Sequence, residues 1–301
     1  MSATKVAIVT GAGRGLGRAY AIALAGAGTA VVVNDVDADA ANSAVEEITA
    51  AGGQAVAEIA PVGGSETADA LVARAVESFG RLDTMVTNAG ILRDTVLWKM
   101  TDEQFDAVIE THLRGTFTCA RAAAIHLREQ GDGGSLILVG SPTGQYGNFG
   151  QGNYAAAKAG IVGMCRTWAI ELARAQVTVN TIVPTAWTEM TATIPIYAPL
   201  VDRVAAGEPL PREVRQAHAV GLPADSASLV VFLASEAARE ITGQAIGIGG
   251  DKLSLYSHPT EVASAFYEGG WTPEAIAENW ATTLGASTQP IGVKLPPLEL
   301  A

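Results

Sequence analysis

The chain has 301 residues, 49% of them hydrophobic and only 17% charged. With a mean hydropathy of +0.24 it can bury a large core in one or two domains and is not a disordered chain. Its 31 acidic residues outnumber 19 basic ones, and the net charge of -12 repels nucleic acid and anionic membrane, leaving a small-molecule substrate as the expected partner.

Short β-branched runs recur along the chain with helical patterns between them. Val6 to Val9, Ala30 to Val33, Ala55 to Ala57, Thr84 to Val86, Leu136 to Val139, Val177 to Val179 and Ala245 to Ile248 read as seven strands. Their near-continuous apolarity is expected of parallel strands covered on both faces, so the predicted fold class is α/β, a doubly wound Rossmann-type sheet of seven parallel strands. Helices are expected over Asp37 to Ala51, Glu66 to Phe79 and Thr101 to about Gln130 with a break near Thr111, two of them stopped by glycine. Beyond Pro184 the pattern loosens through Pro195, Pro199, Pro209 and Pro211, which suggests a mobile cover whose apolar members Trp187, Met190, Ile194, Ile196, Tyr197 and Leu200 wall a substrate or pack on one another. Regularity returns at Asp225 to Ser235. Residues 1–250 form the predicted catalytic domain and 251–301 a carboxyl-terminal extension packed on the domain or on a neighbouring subunit, in which Thr272-Pro273-Glu274 marks a helix start flanked by Trp271 and Trp280.

The longest weakly polar run, Ala19 to Val33, is broken by Gly26, Gly28 and Thr29 and falls short of the ~18 residues a membrane span needs. Met1 to Lys5 leads into an apolar strand without the layout of a signal peptide, and Leu298-Glu299-Leu300-Ala301 is no peroxisomal address. The two cysteines, Cys119 and Cys165, offer no disulfide framework and no CxxC metal site. A cytoplasmic enzyme without a metal is the expectation.

The first strand ends in Thr10-Gly-Ala-Gly-Arg-Gly-Leu-Gly17 and a helical run follows at once. Glycines there let backbone N–H groups and the helix dipole approach a pyrophosphate, so Gly11, Arg14, Gly15, Leu16 and Gly17 are candidate cofactor contacts. Asp35 ends the second strand, where an acid binds both ribose hydroxyls of adenosine. Its charge repels a 2'-phosphate and favours NAD over NADP, while Arg14 within the loop could pair with such a phosphate. A second constellation is Ser141 with Tyr154 and Lys158. At i,i+4 the last two share a helix face, and a neighbouring ammonium would lower the phenol's pKa toward neutrality; an exposed pair that merely snorkels is the bland alternative.

These pieces, with Asn88-Ala-Gly90 and with Pro184 and Thr188, occur together and in order. The chain resembles the short-chain dehydrogenase/reductase family over nearly all of residues 4–250. The resemblance implies hydride transfer between a secondary alcohol or ketone and a nicotinamide, with Tyr154 as acid/base, Lys158 holding the nicotinamide ribose and Ser141 orienting the substrate oxygen. Asn88, Ala89 and Gly90 would lie at the adenosine ribose, Pro184 and Thr188 at the carboxamide, and the backbone N–H of Val62 at the adenine, since the family's usual Asp there is replaced by Ala60-Pro61. Gly90 to Asp94, His112-Leu-Arg-Gly115, Tyr146 to Tyr154 and the Val32 to Asp35 strand end are similar to the (3R)-hydroxyacyl-CoA dehydrogenase part of multifunctional enzyme type 2 and its bacterial relatives, some tied to steroid side-chain breakdown. Asn153-Tyr-Ala-Ala-Ala-Lys158 is equally like β-ketoacyl-carrier-protein reductases.

His112 stands where most of the family carries Asn, and is either a proton relay or a buried structural histidine. Thr185 replaces the usual glycine after Pro184. The implied activity is an NAD-dependent dehydrogenase of 3-hydroxyacyl thioesters, working as a homo-oligomer, dimer or tetramer, through the helices of Thr111 to Gln130 and Tyr154 to Ala173. A hydroxysteroid dehydrogenase and an NADPH-dependent 3-oxoacyl-carrier-protein reductase are the alternatives. A cofactor-sensing scaffold is the non-enzymatic one, and it would be expected to lack the tyrosine or lysine.

Overall fold

The computed structural model describes residues 4–192, 194–292 and 295–298, without the side chains of Glu189 and Met190. The fully buried runs β1 (Val6–Thr10) and β2 (Ala30–Asp35) pair in parallel, as continuous apolarity requires. Between them lies α1 (Gly15–Gly26), and α2 (Ala38–Ala50) leads on to β3 (Ala55–Ile59). The first half closes with α3 (Ser65–Phe79) and β4 (Thr84–Thr87). In the second half follow α4 (Asp102–Val108), α5 (Gly115–Gln130), β5 (Gly134–Val139), α6 (Pro142–Tyr146), α7 (Gly152–Glu171) and β6 (Val177–Pro184). The helix expected over Thr101 to Gln130 is continuous in space, but Ile109–Arg114 is wound as a π-helical segment, which is the physical form of the break near Thr111. Such bulges free backbone carbonyls and occur often at functional sites.

Seven parallel strands do not complete the sheet. After α11 (Pro223–Leu233) and β7 (Ala245–Gly249) the chain reverses and adds β8 (Lys252–Tyr256) antiparallel to β7, giving the order β3-β2-β1-β4-β5-β6-β7-β8. The order reverses between β1 and β4, which leaves a crevice at the carboxyl ends of those strands, the place where such sheets bind ligands. Separate apolar layers cover the two faces. Leu71, Leu127 and Ile161 belong to one, and Tyr20, Leu24 and Val230 to the other.

The stretch after Pro184 forms short helices rather than a structureless loop: α8 (Glu189–Ala192), a 3-10 turn over Pro195–Leu200, α9 (Val201–Ala205) and α10 (Arg212–Gln216). Tyr197 and Leu200 are buried there with Leu210, Val214 and Val220, and Trp187, Ile196 and Leu298 pack on them. Four members of the expected cover, Trp187, Ile196, Tyr197 and Leu200, thus pack on a small core of their own. Ile194 stays 40% exposed, and the Met190 side chain lies outside the described residues. From the extension, Pro296 O meets His218 Nε2 at 3.0 Å, and His218 Nδ1 meets Tyr197 Oη at 3.0 Å. Thr272 caps α12 (Pro273–Asn279) through its hydroxyl, as the Thr-Pro-Glu sequence predicts. Trp271 packs on Tyr267, with ring centroids 5.1 Å apart, and Trp280 is half exposed. Among the described residues no helix is long and apolar enough to cross a membrane.

Asp83 fastens the strands that frame the crevice. Its carboxylate accepts the Val6 N–H at 2.8 Å and both arms of Arg81, while its carbonyl accepts the Ser135 N–H at 2.8 Å. Asp83→Ala leaves the buried Val6 N–H without its acceptor and Arg81 with Asp132 alone, and should lower unfolding free energy by about 2 kcal/mol in urea titrations; an unchanged midpoint would contradict this.

Candidate active site

The glycine loop sits at the crevice. No side chain caps the start of α1 and no acid lies in its first turn, so its amino end presents unpaired N–H groups and positive dipole to whatever binds above it. Gly11 has φ +61°, and a Cβ there would lie 2.8 Å from Ala89 Cα; a Cβ on Gly17 would lie 2.1 Å from Gly11 O. Gly15, at φ +56°, has nothing within 4 Å of its Cβ position. The loop is thus folded tightly onto itself at Gly11 and Gly17 and open at Gly15, a shape that fits a pyrophosphate. Leu16 packs into the core beneath.

Asn88 holds this loop down. Its Nδ2 donates to Thr10 O at 3.0 Å and Gly11 O at 3.1 Å, and the Asn88 and Ala89 N–H groups donate to Thr10 Oγ1. Asn88 and Ala89 therefore brace the cradle from below. Asp35, 8% exposed, accepts the Gly13 N–H at 2.9 Å and the Asp37 N–H at 3.1 Å. Arg14 forms an exposed ion pair with Asp37, next to Asp35. Val62 packs its side chain on Gly115, and Pro184 ends β6 beside Ile248. Thr188 receives the Thr191 N–H and meets the Thr191 hydroxyl at 3.3 Å.

Ser141, Tyr154 and Lys158 come together between β5, α6 and α7. Ser141 Oγ accepts the Thr143 N–H at 3.2 Å as the cap of α6, and its hydroxyl also reaches the Tyr154 phenol. Lys158, 3% exposed, donates to Val139 O at 2.6 Å, and its Nζ lies 5.6 Å from the centre of the Tyr154 ring. Burial pushes the Lys158 pKa down to about 7. The phenol differs from the expectation of a lowered value: burial raises its pKa, the Ser141 hydroxyl counteracts this and the Asp94 charge adds to it. Lys158, with its pKa near 7, is already neutral at the pH where the phenol titrates, so no ammonium stands there to lower the phenol's value.

His112 lies in the π-helical segment, 4% exposed, with its ring edge-on to Tyr154 at 5.1 Å. Gly90 packs so closely on it that a Cβ would stand 2.1 Å from His112 Cε1. Its Nε2 lies 3.0 Å from Ile91 N and 2.8 Å from Ile91 O, while its buried Nδ1 has no hydrogen-bond partner. Burial and the Lys158 charge drive its pKa down to about 3, so the imidazole is neutral.

Residues outside the sequence-based selection complete the rim. Gln151 Nε2 donates to Asp94 Oδ2 at 2.7 Å, and its Oε1 accepts from Thr143 and Asn148. Asn153, fully buried, binds the segment after β4. Nothing in their local spacing marks them; the stretch Tyr146 to Tyr154 stands out in the sequence only through its resemblance to the (3R)-hydroxyacyl-CoA dehydrogenases.

With this geometry in view, comparisons with known proteins are informative. The profile of the family described as short chain dehydrogenase matches residues 5–195. The hydroxyacyl-CoA dehydrogenase ChsB1 of Mycobacterium tuberculosis is 45% identical over 267 residues, 85% of this chain and 80% of that protein. The peroxisomal multifunctional enzyme type 2 of Mus musculus is 38% identical over 286 residues, 92% of this chain, and the matched part spans 36% of the mouse protein. The 3-oxoacyl-[acyl-carrier-protein] reductase FabG of Thermotoga maritima is 36% identical over 249 residues, 82% of this chain and 96% of that protein. A crystal structure of a short chain dehydrogenase from Mycobacterium avium superposes with a TM-score of 0.82 at 39% identity, covering 96% of this chain and 97% of the other.

The low Lys158 pKa has a consequence for stability. Between about pH 7 and 9 the unfolded ammonium keeps its proton while the native amine has lost it, so the unfolded state binds more protons and stability rises with pH. Above pH 9 the buried thiols Cys119 and Cys165, whose pKa values burial raises, act in the opposite sense. Over pH 7 to 9 the wild type should gain about 2 kcal/mol relative to Lys158→Met in urea unfolding; parallel profiles would contradict the buried, largely neutral amine.

Proposed function

The chain belongs to the short-chain dehydrogenase family, an oxidoreductase of CH–OH donors that depends on a nicotinamide cofactor, and on that premise we propose that it is an NAD-dependent dehydrogenase of 3-hydroxyacyl thioesters. The observation that carries the reading is the meeting of a tight glycine cradle at the switch point with the Ser141, Tyr154 and Lys158 cluster beside it. The thioester is supported by the relatives, two of which are named for multifunctional or hydroxyacyl-CoA dehydrogenase activity.

The residues fit the cofactor. Gly11, Gly15 and Gly17 with the start of α1 would take the pyrophosphate, and Asp35 the adenosine ribose. Asn88, Ala89, Gly90 and Val62 would form the floor on that side, and Lys158, Pro184 and Thr188 would hold the nicotinamide end. NAD rather than NADP is favoured by charge: Asp35 and Asp37 both stand at the end of β2, and the cations beside the loop are paired, Arg14 with Asp37 and Arg18 with Glu47. When bound, the nicotinamide supplies the acceptor for the substrate hydride.

The chain's own groups manage the proton. Ser141, whose oxygen already accepts a backbone N–H, directs its O–H toward the phenol and the substrate oxygen. During oxidation Tyr154 passes its own phenolic proton on toward the Lys158 amine as it takes the alcohol proton, and in reduction the transfers run in reverse. Lys158, poised near pH 7, can receive or release a proton at Nζ beside the ring. We place His112 beside this route as a neutral imidazole: its Nε2 stays bound at Ile91, and its partnerless Nδ1 would accept a hydrogen bond from whatever hands the proton on.

Association into a homo-oligomer is supported by Phe117 and Ile125 on α5 and Ile170 on α7, which are 40%, 51% and 80% exposed. An NADPH-dependent 3-oxoacyl-carrier-protein reductase is the second reading, favoured by the Thermotoga relative and by Arg14 at the loop. Purified protein screened with NAD against 3-hydroxyacyl-CoA esters and hydroxysteroids, followed by absorbance of the reduced nicotinamide, should respond to the thioesters; turnover of steroids alone would overturn the substrate assignment. Tyr154→Phe should lower turnover about 100-fold or more with cofactor affinity little changed, and near-normal turnover would overturn the proton route.

A further inference from the structure

Asn153 is fully buried, and every polar atom of its side chain is used. Its Nδ2 donates to Arg93 O at 3.1 Å and to Gln104 O at 3.2 Å, and its Oδ1 accepts the N–H of Tyr154 at 2.8 Å. Tyr154 lies in the first turn of α7, where a helix cannot satisfy its own N–H groups, so the side chain of Asn153 supplies the acceptor that the helix lacks. The two donated bonds reach different segments, the chain after β4 and the early part of α4.

These segments surround Tyr154 from the other side as well. Ile91, two residues before Arg93, meets His112 through its backbone, and His112 lies edge-on to the Tyr154 ring. A closed loop of contacts therefore runs from Tyr154 to Asn153, Arg93, Ile91, His112 and back to Tyr154. Gln151 adds a bond from α7 to Asp94, but Asp94 is exposed and that bond is open to competition from water; Asn153 is the buried tie.

We propose that Asn153 is a positioning residue: it fixes the first turn of α7 against the segment after β4 and so holds the Tyr154 phenol at Ser141 and His112. This rests on the reading of Tyr154 as the acid/base. A small displacement of a reacting group can cost on the order of 100-fold in rate, so a residue that only sets position can have a large effect on turnover.

The test is a double-mutant cycle between Asn153→Ala and Tyr154→Phe, with turnover read from concentrated enzyme and with backbone amide exchange over residues 91–105. In the wild-type background Asn153→Ala should lower kcat by about 10-fold or more, change KM by less than about 3-fold and speed exchange over 91–105; in the Tyr154→Phe background it should change kcat by less than about 2-fold. The same loss in both backgrounds would make Asn153 a structural residue and overturn the proposal, as would unchanged kcat and exchange in the single variant. Should Asn153→Ala not fold, the isosteric Asn153→Asp, which keeps the acceptor for the Tyr154 N–H and removes the two bonds donated to Arg93 O and Gln104 O, carries the same cycle with the same outcomes expected. Wild-type turnover in Tyr154→Phe alone would overturn the acid/base reading and the proposal together, and is recognised before Asn153 is altered.

Discussion

The close approach of the glycine loop to the end of β4 is the constraint on which the crevice depends. Gly17 leaves no room for a Cβ beside Gly11 O, Gly11 none beside Ala89, and the Asn88 amide clamps the carbonyls of Thr10 and Gly11 from beneath. Parallel pairing of β1 with β4 brings the two segments together, and the reversal of strand order there keeps helices from covering the gap. Asp35 enters the same site because β2 ends level with the loop and its carboxylate accepts the Gly13 N–H. The open amino end of α1 is therefore a product of sheet topology as much as of the glycine motif.

The cluster of Ser141, Tyr154 and Lys158 works against a different cost. Lys158 and the Tyr154 phenol share a space dry enough that burial lowers one pKa and raises the other, so each charged form is disfavoured. Buried ionisable groups of this kind reduce stability, and they are retained where proton transfer needs groups that change state near neutral pH. Hydrogen bonds limit the penalty: Val139 O receives the Lys158 Nζ, and the Ser141 hydroxyl reaches the phenol. His112 stays neutral within the same dry space, and the π-helical winding of Ile109–Arg114 places its ring against Tyr154. The histidine is thus both a buried packing residue against Gly90 and Ile91 and a group with a spare nitrogen.

Much of this was legible in the chain. Seven strands could be read because residues such as Val31 to Val33 and Leu136 to Val139 are buried on both faces and leave no alternation to misread. β8 was missed because its Leu253 and Leu255 are exposed at the sheet edge, where the pattern reflects no core, and because Gly249-Gly250 looks like the end of the domain. The glycine loop, Ser141, Tyr154 and Lys158 are local patterns with local causes. Asn153, Gln151 and Asp94 gain their meaning from contacts between segments that are distant in sequence, and the pKa balance at Tyr154 depends on burial that no spacing encodes. The stretch after Pro184 misleads for a related reason: its prolines suggest looseness, while Tyr197, Leu200 and Val214 form a small core that the carboxyl-terminal Leu298 helps to cover.

The proposed preference for NAD rests on the charge at the end of β2, where Asp35 accepts the Gly13 N–H of the loop and Asp37 holds Arg14 in an ion pair. Calorimetric titration of the protein with NAD and with NADP measures it. NAD should bind more tightly by roughly 1 to 3 kcal/mol, the scale of a charged hydrogen bond to the ribose lost together with added repulsion; equal or tighter binding of NADP would contradict the account.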